Sequence, residues 1–167
     1  MSNVTAYIGL GSNLSNPIDQ LKIALQSIDA IPSTQLQQSS SFFGSKPLGP
    51  QDQPDFVNAV CQIETELSAK ELLQHLQKIE VEQGRIKKRH WGERLIDLDI
   101  LLFGDEVIST DELTVPHTQI ALRDFVLIPL VEIVPGLVIP KLGKIEPLIE
   151  ALEDSYLIAL DEKAPIR

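Results

Sequence analysis

The sequence predicts an α+β fold, with a mainly antiparallel sheet and helices packed on one face of it. Three observations indicate this fold. Four segments carry the patterns of β-strands, two carry apolar residues at helical spacing, and turn residues separate them in the order βαββαβ. The 167 residues fit one compact domain, so we predict a single domain over residues 1–167 with a C-terminal extension after the core.

The first half of the core is predicted to be a strand, a helix and a second strand. Residues 4–10 are short, apolar and rich in β-formers, and residues 11–13 supply a turn. Asn16 before Pro17 is a candidate helix start, and the helix ends by Pro32. Residues 34–43 alternate weakly and indicate the second strand. The helical spacing is carried by Ile18, Leu21, Ala24, Leu25 and Ile28.

A long loop is predicted at residues 44–54, which contain Pro47, Gly49, Pro50 and Pro54. Long loops in compact domains are usually functional. The strand at residues 56–66 that follows alternates well. Its two faces are predicted to carry Val57, Ala59, Cys61 and Ile63 on one side, and Phe56, Asn58, Val60, Gln62 and Glu64 on the other.

The second helix is predicted to begin at a capping box formed by Ser68 and Glu71 and to end near Gln83. A fourth strand follows at residues 94–103, and Gly104 with Asp105 makes a tight turn into residues 106–108. Beyond it we predict a helix around 125–133, a short strand between Pro135 and Pro140, and a terminal helix at 145–152. The βαββαβ order is that of the ferredoxin-like arrangement, which hosts many functions.

Composition excludes several classes of protein. The net charge of −10 disfavours attraction to nucleic acid or to an anionic membrane. No run of 18 apolar residues is present and residues 1–10 do not resemble a secretory signal, so we expect a cytoplasmic protein. Cys61 is the single cysteine, which excludes an internal disulfide and a multi-cysteine zinc site, and we expect it to be a buried apolar residue.

The segment with the strongest chemical signal is 85–99. Asp97 and Asp99 lie two apart on an apolar strand, so both carboxylates leave the same face, while Ile96, Leu98 and Ile100 anchor the other face. Neighbouring carboxylates repel each other unless a proton or cation neutralises them. Mg²⁺ takes one or two carboxylates and fills its remaining positions with water and phosphate.

Five of the fourteen basic residues stand just before those aspartates: Arg85, Lys87, Lys88, Arg89 and Arg94. Cations beside metal-binding carboxylates in an acidic protein favour a site for a polyphosphate with magnesium. Trp91 and Gly92 give this basic loop an apolar anchor and a hinge, so the loop could close over a nucleotide. Taken separately, a D-x-D pair is common by chance and a basic run is usually a solvated face. Their adjacency favours the functional interpretation.

Other candidates carry weaker signals. Phe56 and Asn58 share a strand face and would suit a flat heterocycle, although a core phenylalanine and a strand-edge asparagine explain them as well. His117 and Arg123 are, by themselves, more typical of structural residues. The glycines at 9 and 11 suggest a dinucleotide fingerprint, but Leu14 stands where the third glycine should be, and no Walker-type motif is present.

Six segments taken together resemble the 6-hydroxymethyl-7,8-dihydropterin pyrophosphokinases. They occur in order and without large gaps up to about residue 140. These are YIGLGSNL at 7–14, PLGPQDQPDFVN at 47–58, EQGR at 82–85, WGERLIDLD at 91–99, LTVPH at 113–117 and RDF at 123–125. The G-x-R-x-x-D-x-D stretch at 92–99 is far more specific than a lone D-x-D pair.

The resemblance implies an ATP-dependent diphosphotransferase of folate synthesis with a ferredoxin-like fold. It implies two magnesium ions on Asp97 and Asp99, with Arg85 and Arg94 sharing the catalytic role. ATP would be bound by Gln77, Glu80, Arg85, Lys88, Trp91, Arg94, Ile100, His117 and Arg123. The pterin would be bound by Gly11, Ser45, Lys46, Leu48, Phe56, Asn58, Asp97 and Phe125. The substrates would be ATP and the pterin alcohol, with no nucleic-acid or membrane partner, in a monomer.

Some positions depart from the bacterial family pattern. Phe56 and Thr118 stand where tyrosine is frequent, Lys46 replaces a proline and Lys87 an arginine, and the basic loop is one residue shorter. Two other classes of protein remain compatible with the residues alone. One is a metal-dependent nucleotide-sugar transferase, for which the chain is small, and the other is a non-enzymatic ferredoxin-like ligand-binding module.

Overall fold

A computed structural model describes residues 3–14, 16–47, 52–84 and 95–158 of the chain. The predicted positions Leu48, Arg85, Lys88, Trp91 and Arg94 lie outside these residues. The described part is an α+β fold whose central sheet is antiparallel in every recorded pairing. No helix in the described ranges combines the length and the apolar character needed to cross a membrane.

The predicted order of the core is confirmed, except that the second predicted strand is present as two strands, which gives βαβββαβ. Its elements are β1 (Val4–Ser12), α1 (Pro17–Asp29), β2 (Thr34–Ser39), β3 (Phe43–Ser45), β4 (Phe56–Thr65), α2 (Ala69–Glu82) and β5 (Asp97–Phe103). The C-terminal extension adds β6 (Ile108–Ser109), β7 (Thr114–Val115), a 3-10 turn (Ile120–Leu122), α3 (Asp124–Ile133), β8 (Val138–Ile139), β9 (Gly143–Lys144), α4 (Ile145–Glu150) and β10 (Leu157–Ile158).

The main sheet has the order β10-β3-β4-β1-β5, and β2 also pairs with β4. Two boundaries differ from the sequence prediction. The strand predicted over 34–43 is divided into β2 and β3, because the register along β4 shifts between Ser39, opposite Cys61, and Phe43, opposite Asn58. Ser40 N still donates to Val60 O at 2.8 Å, and β3 enters the segment predicted to be loop. The last core strand begins at Asp97 rather than at 94, after Leu95 and Ile96.

The helices begin where local signals indicate. Ser68 Oγ accepts from Glu71 N at 3.1 Å and Glu71 Oε1 accepts from Ser68 N at 2.9 Å, which confirms the capping box. Helix α1 starts at Pro17 as expected, but the Asn16 side chain makes no capping hydrogen bond and its backbone is left-handed (φ 60°). The fixed φ of Pro17 therefore marks this helix start without a side-chain cap.

Both faces of the sheet are covered. Helices α1 and α2 pack on one face, as predicted, through a core that includes Leu21, Ile28, Leu72 and Leu76. The opposite face, which the sequence prediction left uncovered, is packed by α3 and α4 through residues such as Leu127, Leu130 and Ile145. The extension therefore completes the fold by covering the face that α1 and α2 leave open.

Candidate functional site

Two rows of residues run across the sheet and form the floor of the site. Gly11 on β1 lies opposite Asn58 on β4 and Asp97 on β5. One strand period along, Gly9 lies opposite Val60 and Asp99. Because residues two apart on a strand share a face, both aspartates and Asn58 project from the same side of the sheet.

Gly9 and Gly11 leave space above the sheet because they have no side chains. A Cβ added to Gly11 would lie 3.2 Å from Asn58 Oδ1, and one added to Gly9 would lie 3.3 Å from Leu101 Cδ2. A side chain at either position would therefore crowd the space between β4 and β5. Sequence analysis rejected a dinucleotide fingerprint at these glycines, and the structure places both of them within strand β1.

A first cavity of about 350 Å³ stands on this floor. Its volume lies in the range of small-molecule sites. It brings together ten of the predicted site residues: Gly11, Ser45, Lys46, Phe56, Asn58, Asp97, Asp99, His117, Arg123 and Phe125. Sequence analysis assigned no site role to Val60, Leu101 and Val126, which also line it, because buried apolar residues carry no local sign of facing a cavity.

Asn58 is held in place inside this cavity. It is buried, and its Nδ2 donates to Ser45 Oγ at 2.5 Å. Ser45 is positioned for this contact by β3, whose Phe43 pairs with Asn58 and whose Ser45 pairs with Phe56. The amide therefore presents fixed polar atoms beside the aromatic face of Phe56.

A second cavity, of about 370 Å³, opens beside the first. Gln77, Glu80 and Ile100, all predicted nucleotide contacts, line it together with Leu73, Leu98, Glu112, Leu113, Thr114 and Thr118. Asp97, Asp99 and His117 line both cavities. Two small molecules bound in the two cavities would meet at these three side chains.

Glu80 makes a contact that the sequence did not indicate. Its side chain is buried, and Oε2 accepts a hydrogen bond from Leu98 N at 2.8 Å. Leu98 stands between Asp97 and Asp99, so α2 holds the backbone from which both carboxylates project. A glutamate on the inner face of an amphipathic helix is the signal that would have indicated a buried polar contact.

His117 is anchored through its backbone and through one nitrogen of its ring. Its backbone N donates to Leu101 O at 3.1 Å, and Nδ1 accepts from Gln119 N at 3.2 Å. The neutral ring therefore carries its proton on Nε2. Burial lowers the pKa of His117, opposed by Asp99 and assisted by Arg123, so the ring is neutral at pH 7 and offers an Nε2–H donor.

Arg123 is close enough to both aspartates to be influenced by their charges. Asp99 and Asp97 favour its charge, although burial is the larger influence and lowers its pKa. Its Cζ lies 5.6 Å from the centroid of the Phe125 ring, within the range of a cation–π contact. Arg123 Nε is buried and has no hydrogen-bond partner among the residues that the structure describes.

The aspartates are the described residues most suited to a metal. Asp97 is half-buried and Asp99 is exposed. Within the described ranges, no group of three or more His, Cys, Asp or Glu side chains could hold a metal ion. Two carboxylates fit Mg²⁺, which completes its coordination with water and phosphate oxygens, and do not fit a zinc site that requires three or four protein ligands.

Comparison with known proteins decides the family. The model of the 7,8-dihydro-6-hydroxymethylpterin-pyrophosphokinase family matches residues 7–135. A 2-amino-4-hydroxy-6-hydroxymethyldihydropteridine pyrophosphokinase of Haemophilus influenzae is 53% identical over 95% of this chain and 99% of its own. The chain belongs to the 7,8-dihydro-6-hydroxymethylpterin-pyrophosphokinase family.

Other relatives agree with this assignment. A pyrophosphokinase of the same description from Pseudomonas aeruginosa is 46% identical over 80% of this chain and 83% of its own. The folic acid synthesis protein fol1 of Schizosaccharomyces pombe is 41% identical over 90% of this chain, which corresponds to 20% of that protein. The pyrophosphokinase family match spans the residues that line both cavities and ends before β8, so β8, β9, α4 and β10 lie outside it.

Proposed function

We propose that this chain transfers pyrophosphate from ATP to the hydroxymethyl group of 6-hydroxymethyl-7,8-dihydropterin, as a step of folate biosynthesis. The products are AMP and the pterin diphosphate. One observation carries the proposal in a member of this family: two cavities of small-molecule size meet at Asp97, Asp99 and His117. A reaction between two bound molecules needs such a junction.

The first cavity is assigned to the pterin. Phe56 and Phe125 provide aromatic surface for a flat ring, and Asn58, fixed by Ser45, provides directional polar contacts. Gly11 leaves room for the ring above the sheet. Lys46 and Leu48 are assigned to the edge of the same site, and Asp97 to its end nearest the reacting hydroxyl.

The second cavity is assigned to ATP. Gln77, Glu80 and Ile100 belong to the adenosine region, and the polyphosphate points towards the junction. There the Nε2–H of His117 faces the phosphate oxygens, and the guanidinium of Arg123, which lines the first cavity, reaches them from the acceptor side. Arg85, Lys88, Trp91 and Arg94 are assigned to the same polyphosphate, with Arg85 and Arg94 acting on the transferred group.

Asp97 and Asp99 would hold two magnesium ions. When bound, the metal neutralises polyphosphate charge and lowers the pKa of the attacking hydroxyl. The chain itself orients the two substrates and surrounds them with fixed donors. The hydroxymethyl oxygen bonds to the β-phosphorus, the bond from that phosphorus to the oxygen bridging to the α-phosphate breaks, AMP leaves, and the hydroxyl proton passes to solvent. No protein nucleophile is required.

A direct assay tests the proposal. Protein, ATP, Mg²⁺ and the reduced pterin alcohol are mixed, and the products are separated by chromatography. We expect AMP and pterin diphosphate in equal amounts, and neither without Mg²⁺ or without the pterin. Release of ADP instead of AMP would indicate a different transfer, and a mixture without any turnover would overturn the proposal.

We also propose that the protein is a cytoplasmic monomer that binds neither nucleic acid nor membranes. The net charge of −10 supports this, because it opposes association with other anionic surfaces. Sedimentation at micromolar concentration should give a single species with a mass near 18.5 kDa.

A further inference from the structure

The C-terminal strap, defined as residues 153–158, returns to the edge of the first cavity. Its strand β10 pairs antiparallel with β3, placing Leu157 opposite Ser45 and Ile158 opposite Gly44. Lys46 N donates to Tyr156 O at 2.8 Å. The strap therefore covers the outer edge of β3, whose last residue, Ser45, lines the cavity together with Lys46 directly after it.

Asp124 ties the strap to the start of α3. This side chain is only 5% exposed, and its Oδ2 accepts from Tyr156 N at 3.0 Å and from Leu157 N at 3.1 Å. Ser155 Oγ donates to the same oxygen at 3.3 Å. Three donors at a helix N-terminus compensate Oδ2 for its burial, whereas Oδ1 is buried and has no hydrogen-bond partner among the residues that the structure describes.

The strap also contacts Phe125, an aromatic residue that lines the first cavity. The ring of Tyr156 packs edge-on against Phe125, with centroids 5.9 Å apart and planes at 86°. Phe125 in turn lies beneath the guanidinium of Arg123. One short segment thus contacts β3 on one side of the cavity and the start of α3 on the other.

We propose that Asp124 and Tyr156 are positioning residues for the acceptor cavity. Neither is among the described residues that line it. Through the strap they hold Ser45, which fixes the Asn58 amide, in register with Phe125. The proposal rests on the proposed function, because the strap contacts the wall of the first cavity, which is assigned there to the pterin and not to ATP. It also gives the strap, which lies beyond the match to the family model, a part in substrate recognition.

A strap that merely protects the sheet edge would behave differently. Loss of edge protection lowers the melting temperature and the active fraction, and it changes the KM values for both substrates equally or not at all. Loss of positioning raises the KM for the pterin selectively. Misplacement of a binding group by about 1 Å can lower catalytic efficiency by up to about 100-fold, and here only groups that contact the pterin are misplaced. The ratio of the two KM changes separates these roles.

The test compares matched variants in the full-length chain. Tyr156→Leu keeps apolar bulk but removes the ring, whereas Tyr156→Phe keeps the ring edge and serves as the control. Asp124→Ala removes the acceptor, and Asp124→Asn retains one. We expect Tyr156→Leu and Asp124→Ala to raise the pterin KM about tenfold with the ATP KM within about twofold of wild type. Tyr156→Phe should match wild type, and Asp124→Asn should fall between. Equal changes in both KM values, or none, would overturn the proposal.

Hydrogen exchange in the wild-type protein tests the same proposal without a variant, so it still applies if a variant does not fold. Saturating pterin, with a non-hydrolysable ATP analogue present, should slow exchange of the backbone amides of Lys46, Tyr156 and Leu157. Unchanged exchange at Tyr156 and Leu157 would overturn the strap proposal by itself. AMP release by the wild type in the same preparation tests the proposed function separately, and a wild type without turnover would remove both proposals.

Discussion

Glu80 and the aspartate pair show how the role of a residue depends on its nearest contact. Residue types and spacing indicated that Asp97 and Asp99 leave one strand face, and the structure confirms that they line the same junction. The family resemblance placed Glu80 at the adenosine region. The structure adds its hydrogen bond to Leu98 N, which steadies the strand between the two carboxylates. A buried N–H left without an acceptor costs about 1–3 kcal/mol, so this contact matters to the geometry of the pair.

Replacing Asp97 by Ala tests the metal assignment. Asp97 is only half-buried, so the variant should fold with a melting temperature near that of wild type. Its turnover should fall by roughly 100-fold or more, because the charge of the reacting polyphosphate is no longer compensated. AMP release with varied Mg²⁺ is the measurement, and circular dichroism is the control for folding. Turnover within a few-fold of wild type would show that Asp97 holds no essential metal.

Replacing Gly11 by Ala tests the cavity floor. The new Cβ would lie 3.2 Å from Asn58 Oδ1, so the amide must shift and weaken its bond to Ser45. We expect the pterin KM to rise roughly tenfold, while the ATP KM stays near its wild-type value. Steady-state kinetics with each substrate varied in turn gives both values. A pterin KM equal to that of wild type would mean that the ring does not lie over Gly11.

At the scale of elements, local signals predicted the starts of helices better than the ends of strands. The capping box at Ser68 needs only residues three apart, and it is present. The break between β2 and β3 depends instead on pairing with β4, which follows them in the chain. The faces of β4 came out as predicted, with Val57, Ala59, Cys61 and Ile63 in the core beneath α1 and α2.

Replacing Ser68 by Ala tests the contribution of the capping box. The variant loses the acceptor for Glu71 N, so the free energy of unfolding should fall by about 1 kcal/mol. Urea denaturation followed by circular dichroism measures this difference. Ser68→Asp, which restores an acceptor at the same position, is the matched control and should recover most of the loss. A Ser68→Ala variant as stable as wild type would show that the box contributes nothing measurable.

At the scale of the whole molecule, Cys61 reports on the integrity of the core. Burial raises the pKa of its thiol from 9.0 to about 12, with the hydrogen bond to the Ile8 backbone acting in the opposite direction. The pKa of this thiol is higher in the folded protein than in the unfolded chain. Burial of the neutral thiol therefore contributes its full stabilisation of the fold below pH 9.0, and this contribution is lost as the pH rises towards 12. The thiol therefore stays protonated while the fold is intact.

Thiol labelling checks this expectation. At pH 9, a thiolate-selective reagent should modify Cys61 at the rate of unfolding, and added denaturant should accelerate the reaction together with the loss of structure. The difference in unfolding free energy between wild type and Cys61→Ala should shrink as the pH rises from 9 to 12. Rapid labelling of the native protein at a rate set only by thiol ionisation would contradict the burial of this side chain.

The sequence by itself determined the order of the core elements, the shared face of Asp97 and Asp99, and the family resemblance. These depend on periodicity and short motifs, whose physical basis is the geometry of the local backbone. The sequence did not show that α3 and α4 cover the second face of the sheet, or that Gly9 and Gly11 form a floor between β4 and β5.

Only the tertiary structure decided which distant residues meet. The register of β1 brings Asn58 beside Asp97, and the path of the strap brings Tyr156 to Phe125. Such contacts follow from the burial of apolar surface and the pairing of backbone groups over the whole chain. Their free energy is shared among many residues, so no short segment carries a signal for them.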